Sequence, residues 1–383
     1  MWIHGIGIEM RKLATIRKID RLREIPGADF IEVADVDGWE LVVKKDEFKK
    51  DDLGVYFEID SVLPDHKRYE FLKKMTNTAG GQGYRIKTIK LRKQISQGIM
   101  LPLRLFDEFS QLIRVGEDVT EKLGVWLYEP VHQGGPMSNA ECRSIGKKVF
   151  PDFLRKTDQE RIQNKMHYFD TYKEMAWEAT KKLDGSSMTI WNYDKAYHLP
   201  AGVMNKKWKN RLLRLWERFT FLFKKPETFG VCSRNVNLRE KEGNAFWGIA
   251  NQLGLKELLF DKNVALQGEL IGPAIQKNHE KVDRNEFYLF DIFDIDKQEY
   301  LLPEERESWL RENDRLNKIK TVPFHTCIKI FKSCRDIPTM QKFVEGPSMN
   351  EGTISEGIVF KSMTDRGMSF KCINNKYLLK CED

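Results

Sequence analysis

A lysine becomes a nucleophile when part of it is neutral at working pH, and burial or neighbouring cations achieve this by disfavouring the ammonium. Lys182 is a candidate for that chemistry. It lies in the run Trp177-Glu178-Ala179-Thr180-Lys181-Lys182-Leu183-Asp184-Gly185-Ser186-Ser187. A strand pattern ends on the lysine, an acid follows two residues later, and a glycine permits a tight turn. Lys181 is the rival amine. Strand alternation sends it to the opposite face, and only Lys182 has the Asp-Gly pair at the correct spacing. Four residues of the form Lys-x-Asp-Gly also describe an ordinary surface turn, so the rest of the chain decides. Downstream lie Ser233-Arg234-Asn235, Leu266-Gln267-Gly268-Glu269-Leu270-Ile271-Gly272, Phe287-Tyr288-Leu289-Phe290-Asp291, Glu356-Gly357-Ile358-Val359-Phe360-Lys361 and Ser369-Phe370-Lys371. That company makes the short lysine run a strong signal.

Two kinds of sequence must position these groups. The first part of the chain is dense in short strand patterns: Leu13–Ile19, Ile31–Val36, Trp39–Val43, Gly54–Ile59 and Tyr84–Leu91. Turn residues separate them, and Asp37-Gly38 between Val36 and Trp39 is a strong hairpin signal. Five strands in this length predict a small closed β-barrel over 1–125. Its 22 basic and 21 acidic residues leave it nearly neutral. Residues 126–165 read as a linker: Gly134-Gly135-Pro136 marks irregular chain, and a partly helical stretch runs from Phe150 to Phe169. The remainder, 166–383, mixes strands (Trp177–Thr180, Met188–Trp191, Val264–Gly268, Phe287–Phe293, Gly357–Lys361) with helices (Asn244–Leu253, Glu304–Arg315, Pro338–Val344). The expected fold class is α+β: a five-stranded barrel followed by a larger mixed domain.

Composition excludes several alternatives. With 41% hydrophobic and 32% charged residues over 383 positions, the chain can build packed interiors and is not a disordered one. It contains no apolar run long enough for a membrane span. Its start lacks a charged leader followed by a long apolar stretch, so an intracellular location in cytoplasm, nucleus or organelle is expected. Six scattered cysteines without a Cys-x-x-Cys pair read as reduced thiols, with neither a disulfide framework nor a zinc site.

In order and content, the motif series resembles the covalent nucleotidyltransferases, and specifically the ATP-dependent RNA ligases. The front barrel is similar to the N-terminal OB domain of the Deinococcus/Naegleria-type group of these ligases. Arg11-Lys12-Leu13-Ala14, Pro26-Gly27-Ala28-Asp29, Val36-Asp37-Gly38-Trp39, Val55-Tyr56-Phe57-Glu58 and Ser96-Gln97-Gly98 carry that likeness, and Pro151-Asp152-Phe153 with the run Lys156 to Arg161 extends it into the linker. The resemblance implies that Lys182 attacks the α-phosphorus of ATP, that AMP passes to an RNA 5′-phosphate, and that a 3′-hydroxyl then displaces AMP. RNA with a nick in a duplex is the implied partner, ATP and Mg²⁺ or Mn²⁺ the implied cofactors, and a monomer without membrane contact the implied state. A GTP-using capping enzyme or a DNA ligase is the alternative within the superfamily, but both normally carry the OB domain after the nucleotidyltransferase domain. A relative that binds RNA without catalysis is the alternative outside it.

The same resemblance distributes roles. Glu269 is expected on a ribose hydroxyl. Glu356 is expected to face the α-phosphate and help hold the metal through water, since magnesium dehydrates reluctantly. Lys371 is expected to neutralise the α-phosphate and lower the Lys182 pKa. Thr180, Asp184, Gly185, Arg161, Arg234 and Lys361 complete the expected nucleotide contacts. Of the rings Phe287 and Phe290, Phe287 is taken to stack on adenine, although most aromatics in such strands are core. Relatives are expected to carry Lys-x-Lys at the last motif. Ser369 takes the first of those positions here, leaving Lys376 or Lys361 as lysines that could substitute.

The overall charge of +7 has a single source. Residues 201–226 hold eight basic residues and one acid, and the rest of the chain balances at 56 of each sign. Trp208, Leu212, Leu215, Trp216 and Phe219 fall on one helical face, with Lys207, Arg211, Arg214 and Arg218 beside it. This basic helical insertion between two motifs reads either as a solvated amphipathic helix or as a grip on RNA phosphates. Deleting 205–224 is expected to weaken RNA binding and flatten its salt dependence while Lys182 self-adenylylation is retained. Binding isotherms at several salt concentrations check this, and unchanged affinity would eliminate the RNA role.

Overall fold

The computed structural model describes residues 11–74, 83–109, 113–128, 150–194, 228–273 and 275–381. The basic insertion, including Lys207, Arg211, Arg214 and Arg218, lies outside the described residues.

The first domain is built from short strands in chain order: β1 Ala14–Lys18, β2 Arg21–Glu24, β3 Ile31–Val36, β4 Trp39–Lys44, β5 Leu53–Phe57, β6 Ser61–Leu63, β7 Tyr84–Arg85, β8 Thr88–Leu91, β9 Gln94–Gln97, β10 Ile99–Pro102 and β11 Trp126–Leu127. They pair as β1-β5-β10, β2-β3-β4, β11-β6-β7 and the hairpin β8-β9. Strand β4 lies against both β9 and β10, and the sheets wrap around two apolar clusters, one centred on Phe57 and one on Trp39. Four of the five expected strands appear nearly as read. Tyr84–Leu91, read as one strand, is broken at Ile86-Lys87 into β7 and β8. Strand β9 has no counterpart in the sequence reading because its residues are polar. Those polar groups are used internally: the Val42 amide donates to the Ser96 hydroxyl at 3.0 Å, and the Tyr56 hydroxyl donates to the Gln97 carbonyl at 2.9 Å.

The β3–β4 hairpin turns on Asp37 and Gly38, with φ of 47° and 78°, as the Asp-Gly signal implies. Its tip meets the second domain. A β-carbon on Gly38 would lie 2.6 Å from the Ile337 side chain, so the close approach and the backbone conformation both demand glycine.

The second domain contains β12 Trp177–Lys182, β13 Ser186–Asn192, β14 Phe229–Ser233, β15 Asn237–Leu238, β16 Val264–Ile271, β17 Glu286–Asp294, β18 Glu299–Tyr300, β19 Lys320–Thr321, β20 Phe324–Ile328, β21 Gly357–Ser362 and β22 Ser369–Ile373. Its helices are α1 Tyr168–Thr171, α2 Ala245–Gln252, α3 Leu255–Leu258, α4 Pro303–Asn313, α5 Ile330–Ser333, α6 Ile337–Phe343 and α7 Asn375–Cys381. Two sheets result. One has the order β20-β12-β21-β22, and the other runs β15-β14-β13-β16-β17-β18 with β19 parallel to β17. Helices back the outer face of each: α1, α5 and α6 pack on the first through Trp177, Phe360 and Phe370, and α2 and α3 pack on the second through Trp247 and Leu255. The inner faces therefore look toward one another, and the chain passes between the sheets through Leu183-Asp184-Gly185.

Alternation then fixes which side chains enter the cleft. On the first sheet, Ile358 and Phe360 belong to the outer core, so Gly357, Val359 and Lys361 face inward. Their cross-strand partners Lys182, Thr180 and Glu178 share that face, as do Lys371 and Ser369. On the second sheet, Leu266 and Leu270 face the helices, leaving Glu269 inward opposite Tyr288. A register shift at Gln267/Gly268 adds a residue to β17, so Asp291 also points inward although Leu289 points out.

Candidate active site

Lys182 ends β12 at the point where the chain leaves one sheet for the other. Its Nζ donates to Glu356 Oε2 at 2.6 Å. Glu356 immediately precedes Gly357, the cross-strand partner of Lys182, so the pairing of β12 with β21 sets this contact. Burial pushes the Lys182 amine toward neutrality, but the charges of Glu356, Glu269 and Asp184 outweigh it and hold its pKa above the ordinary lysine value. The expected lowering of this pKa by neighbouring cations is thus reversed in the resting protein, because three carboxylates act on Nζ more strongly than any cation does. Lys181 points away, as alternation requires, and its Nζ donates to the carbonyls of Pro347 and Ser348, the latter at 2.9 Å.

Glu269 faces Lys182 from the opposite sheet. Burial among the like charges of Glu356 and Asp184 pushes its carboxyl up to about 8, against the attraction of Lys182 and Arg234. Asp184 accepts a hydrogen bond from the Tyr377 hydroxyl at 2.8 Å. Gly185 meets the motif's demand for glycine through proximity. A β-carbon there would sit 2.8 Å from Ile271 and 3.1 Å from Glu269 Cγ, besides striking the Leu270 carbonyl.

Beyond this acidic group lies a cationic one. Lys371 Nζ is 3.1 Å from Asp158 Oδ1, and the Arg234 guanidinium is 3.5 Å from Asp158 Oδ2. Burial, together with Lys182 and Arg161, pushes the Lys371 pKa down despite Asp158. Burial raises the Asp158 carboxyl, but Lys371 and Arg234 win and hold it below the usual range. Arg161 reaches the same place because the linker pairs with β22: Arg161 bridges Lys371 in parallel register, and the Lys371 amide donates to the Glu160 carbonyl at 2.8 Å. The Arg161 guanidinium lies 5.5 Å from the ring centre of Trp39, over a barrel side chain.

Three expected residues stand elsewhere. Lys361 is inward-facing but deeper in the cleft. Its Nζ donates to Asp291 at 2.7 Å and to the Phe290 carbonyl at 2.6 Å, beside a buried Arg306–Glu178 pair. These contacts tie Lys361 to β17 of the second sheet. Lys376 is paired with Glu345 at 2.7 Å. Phe287 pairs with Leu270 and packs in the helix-backed core, on the face away from Glu269. The inward ring is Tyr288, opposite Glu269 and packed with Leu183, Ile271 and Val322. Thr180 is inward and buried, and its hydroxyl lies 3.4 Å from the Val359 carbonyl of the neighbouring strand.

Sequence reasoning missed Asp158, Tyr288 and Tyr377. Asp158 lies in the polar run Lys156 to Arg161 without a motif of its own, and Tyr288 adjoins Phe287 in a strand that is apolar on both faces. Nothing in the sequence connects Tyr377 to Asp184, 193 positions away.

Glu356 is a hard oxygen donor beside the Lys182 amine, chemistry that fits help to Mg²⁺ or Mn²⁺ through water. Among the described residues, no group of three His, Cys, Asp or Glu side chains could hold a metal ion by itself.

A strand-end lysine between two antiparallel sheets, with carboxylates at its amine and cations beyond them, defines a covalent nucleotidyltransferase. Comparison with known proteins specifies the class. The RNA ligase family profile matches residues 175–380, and an OB-fold domain profile matches 13–103. The solved structure of a Naegleria gruberi RNA ligase mutant with ATP and Mn is 39% identical and superposes with a TM-score of 0.74, covering 97% of this chain and 99% of that one. The same ligase with PPi is 40% identical, TM-score 0.73, covering 98% and 100%. A further mutant with AMP and Mn is 40% identical, TM-score 0.74, over 97% and 100%. The search of curated proteins returns no match. The chain belongs to the RNA ligase family.

The raised Glu269 pKa has a consequence for stability. Its neutral form is favoured in the fold, so the associated stability is complete below the ordinary glutamate value near 4.5 and is lost as pH rises through about 8. In chelator, raising pH from 6 to 9 is expected to lower the wild-type melting temperature by about 2–4 °C more than that of Glu269→Gln. Thermal melts at the two pH values check this, and parallel behaviour of the two proteins would refute it.

Proposed function

We propose that this RNA ligase seals 3′-OH and 5′-phosphate ends at nicks in RNA duplexes, using ATP and a divalent cation, and that it acts as a monomer inside the cell. The observation that carries the reading is the position of Lys182, with carboxylates at Nζ and the Lys371, Arg234 and Arg161 cations beyond. That layout suits a nucleotide whose α-phosphate meets the amine while its remaining phosphates meet the cations. The Naegleria gruberi structures, solved with ATP and Mn, AMP and Mn, and PPi, support ATP and a divalent cation as the ligands.

In the first step a bond forms between Lys182 Nζ and the α-phosphorus, the bond to the β-phosphate oxygen breaks, and pyrophosphate leaves. Nζ must first lose a proton, and Glu356 Oε2 at 2.6 Å is placed to accept it. A bound Mg²⁺ or Mn²⁺ supplies charge neutralisation that lowers the cost of bringing a polyanion to these carboxylates. Lys371 and Arg234 exchange Asp158 for phosphate oxygens, which offsets the loss of their resting ion pairs. Glu269 takes the ribose hydroxyl, and the purine lies against Leu183, Ile271 and Tyr288. AMP then moves to the RNA 5′-phosphate, and the 3′-hydroxyl displaces it. Positioning and charge compensation dominate such phosphoryl chemistry. Among the described residues no helix is long and apolar enough to cross a membrane.

Incubation with α-labelled ATP and Mg²⁺ is expected to label the protein covalently, Lys182→Ala to abolish the label, and α-labelled GTP to give none. The labelled protein should then seal a nicked RNA duplex faster than it joins single strands. Absence of label refutes the nucleotidyl step, and equal or faster joining of single strands refutes the nick preference.

A further inference from the structure

The β8–β9 hairpin is built against local preference. Leu91 pairs with Gln94, so the turn has two residues, Arg92 and Lys93, with φ of 51° and 65°. Positive φ at both positions is the geometry that favours Asn-Gly, and long branched-free cations are costly there. Their placement sends two cationic side chains outward from the tip of a rigid hairpin.

The charge around this turn is also one-sided. Residues 84–97 contain Arg85, Lys87, Lys90, Arg92 and Lys93 and no acid. Arg85 is committed to Asp60 at 2.6 Å and to the Tyr128 ring. Lys87, Arg92 and Lys93 are exposed, and none forms an ion pair with a described residue. Elsewhere on the barrel many arginines are paired: Arg11 with Glu58, Arg17 with Asp37, Arg21 and Arg23 with Asp35, and Arg68 with Glu108. At the hairpin turn, by contrast, Arg92 and Lys93 stand side by side with no acid in the surrounding stretch 84–97.

The root of the hairpin reaches the catalytic sheet. Ile95 packs with Ile373, Tyr377 and Leu378, and Gln97 donates to Asn375 at 3.3 Å. Ile373 pairs with Gly357, which pairs with Lys182. The hairpin thus stands on the flank of the sheet that carries the nucleophile.

We propose that Lys87, Arg92 and Lys93 of this hairpin form a contact for the RNA phosphate backbone beside the strand ends held at Lys182. This rests on the RNA ligase reading and adds a binding surface to it. RNA phosphates are the matching ligand because the exposed turn offers adjacent cationic side chains, and such charges bind the phosphate backbone without reading bases.

Arg92→Asn/Lys93→Gly tests it with a built-in control for folding, because Asn-Gly relieves the turn while removing both charges. The variant is expected to melt at or above the wild-type temperature and to accept AMP from ATP at the wild-type rate. Its affinity for a nicked RNA duplex should fall about three- to tenfold, and the slope of log affinity against log salt should decrease by about one to two. Arg92→Gln/Lys93→Gln, which keeps the bulk, should lose as much. Unchanged affinity and slope in both variants overturn the proposal. Measuring intact duplex and single strand alongside separates it from the nick reading: if the wild type shows no preference for nicks, that reading fails, whereas the hairpin is judged by the variant-to-wild-type ratio on each RNA.

Discussion

An ammonium and three carboxylates packed between two sheets cannot be left in arbitrary proportion, because each buried charge costs several kcal/mol unless compensated. The Lys182–Glu356 pair, 2.6 Å long and set by the β12–β21 register, is the centre of that balance. Glu269, buried beside the charges of Glu356 and Asp184, is pushed up to about 8. Across the site Asp158 pairs with both Lys371 and Arg234. The site thus has an acidic half built around an amine and a cationic half built around an acid, each offsetting part of the other's charge. A nucleotide with its metal exchanges partners in both. Catalytic readiness and the stability of the empty protein are then opposed: the pairings that compensate charge in the free fold hold the nucleophile protonated.

The barrel is part of the same balance. Its Trp39 lies beneath Arg161, its Gly38 turn abuts Ile337, and its Glu58 accepts from Asn164 at 3.0 Å. On the other flank, Glu40 and Gln97 hold Asn375 at the start of α7, whose Tyr377 reaches Asp184. The barrel thus braces both the linker cation and the loop that follows the nucleophile. These are contacts between neutral or singly charged partners of modest strength, about 1 kcal/mol each, and they work by limiting where the groups can go.

The sequence disclosed those parts of the structure that depend on local rules. Strand alternation separated Lys182 from Lys181, the Asp-Gly pair marked the β3–β4 turn, and the motif order identified the superfamily. It failed where long-range register decides. Phe287 and Tyr288 are adjacent in an all-apolar strand, so only the pairing with β16 tells which ring faces Glu269. Lys361 looks like one more phosphate ligand, yet the extra residue in β17 turns Asp291 inward to meet it. Asp158 carries no motif, and the lysine it pairs with is 213 positions away. Even glycine chemistry divides this way. Gly38 needs its backbone conformation, which a turn motif announces, while Gly185 needs space beside a distant strand, which no local pattern encodes.

Carboxylates rather than cations set the protonation of Lys182. Its titration can be followed directly by competitive labelling of metal-free protein with an amine-directed acylating reagent across pH, with Lys182 resolved by peptide mass spectrometry. The expected result is a Lys182 midpoint above that of ordinary surface lysines in the wild type and a downward shift in Glu356→Gln. A wild-type midpoint below the ordinary lysine value, unmoved by Glu356→Gln, would contradict it.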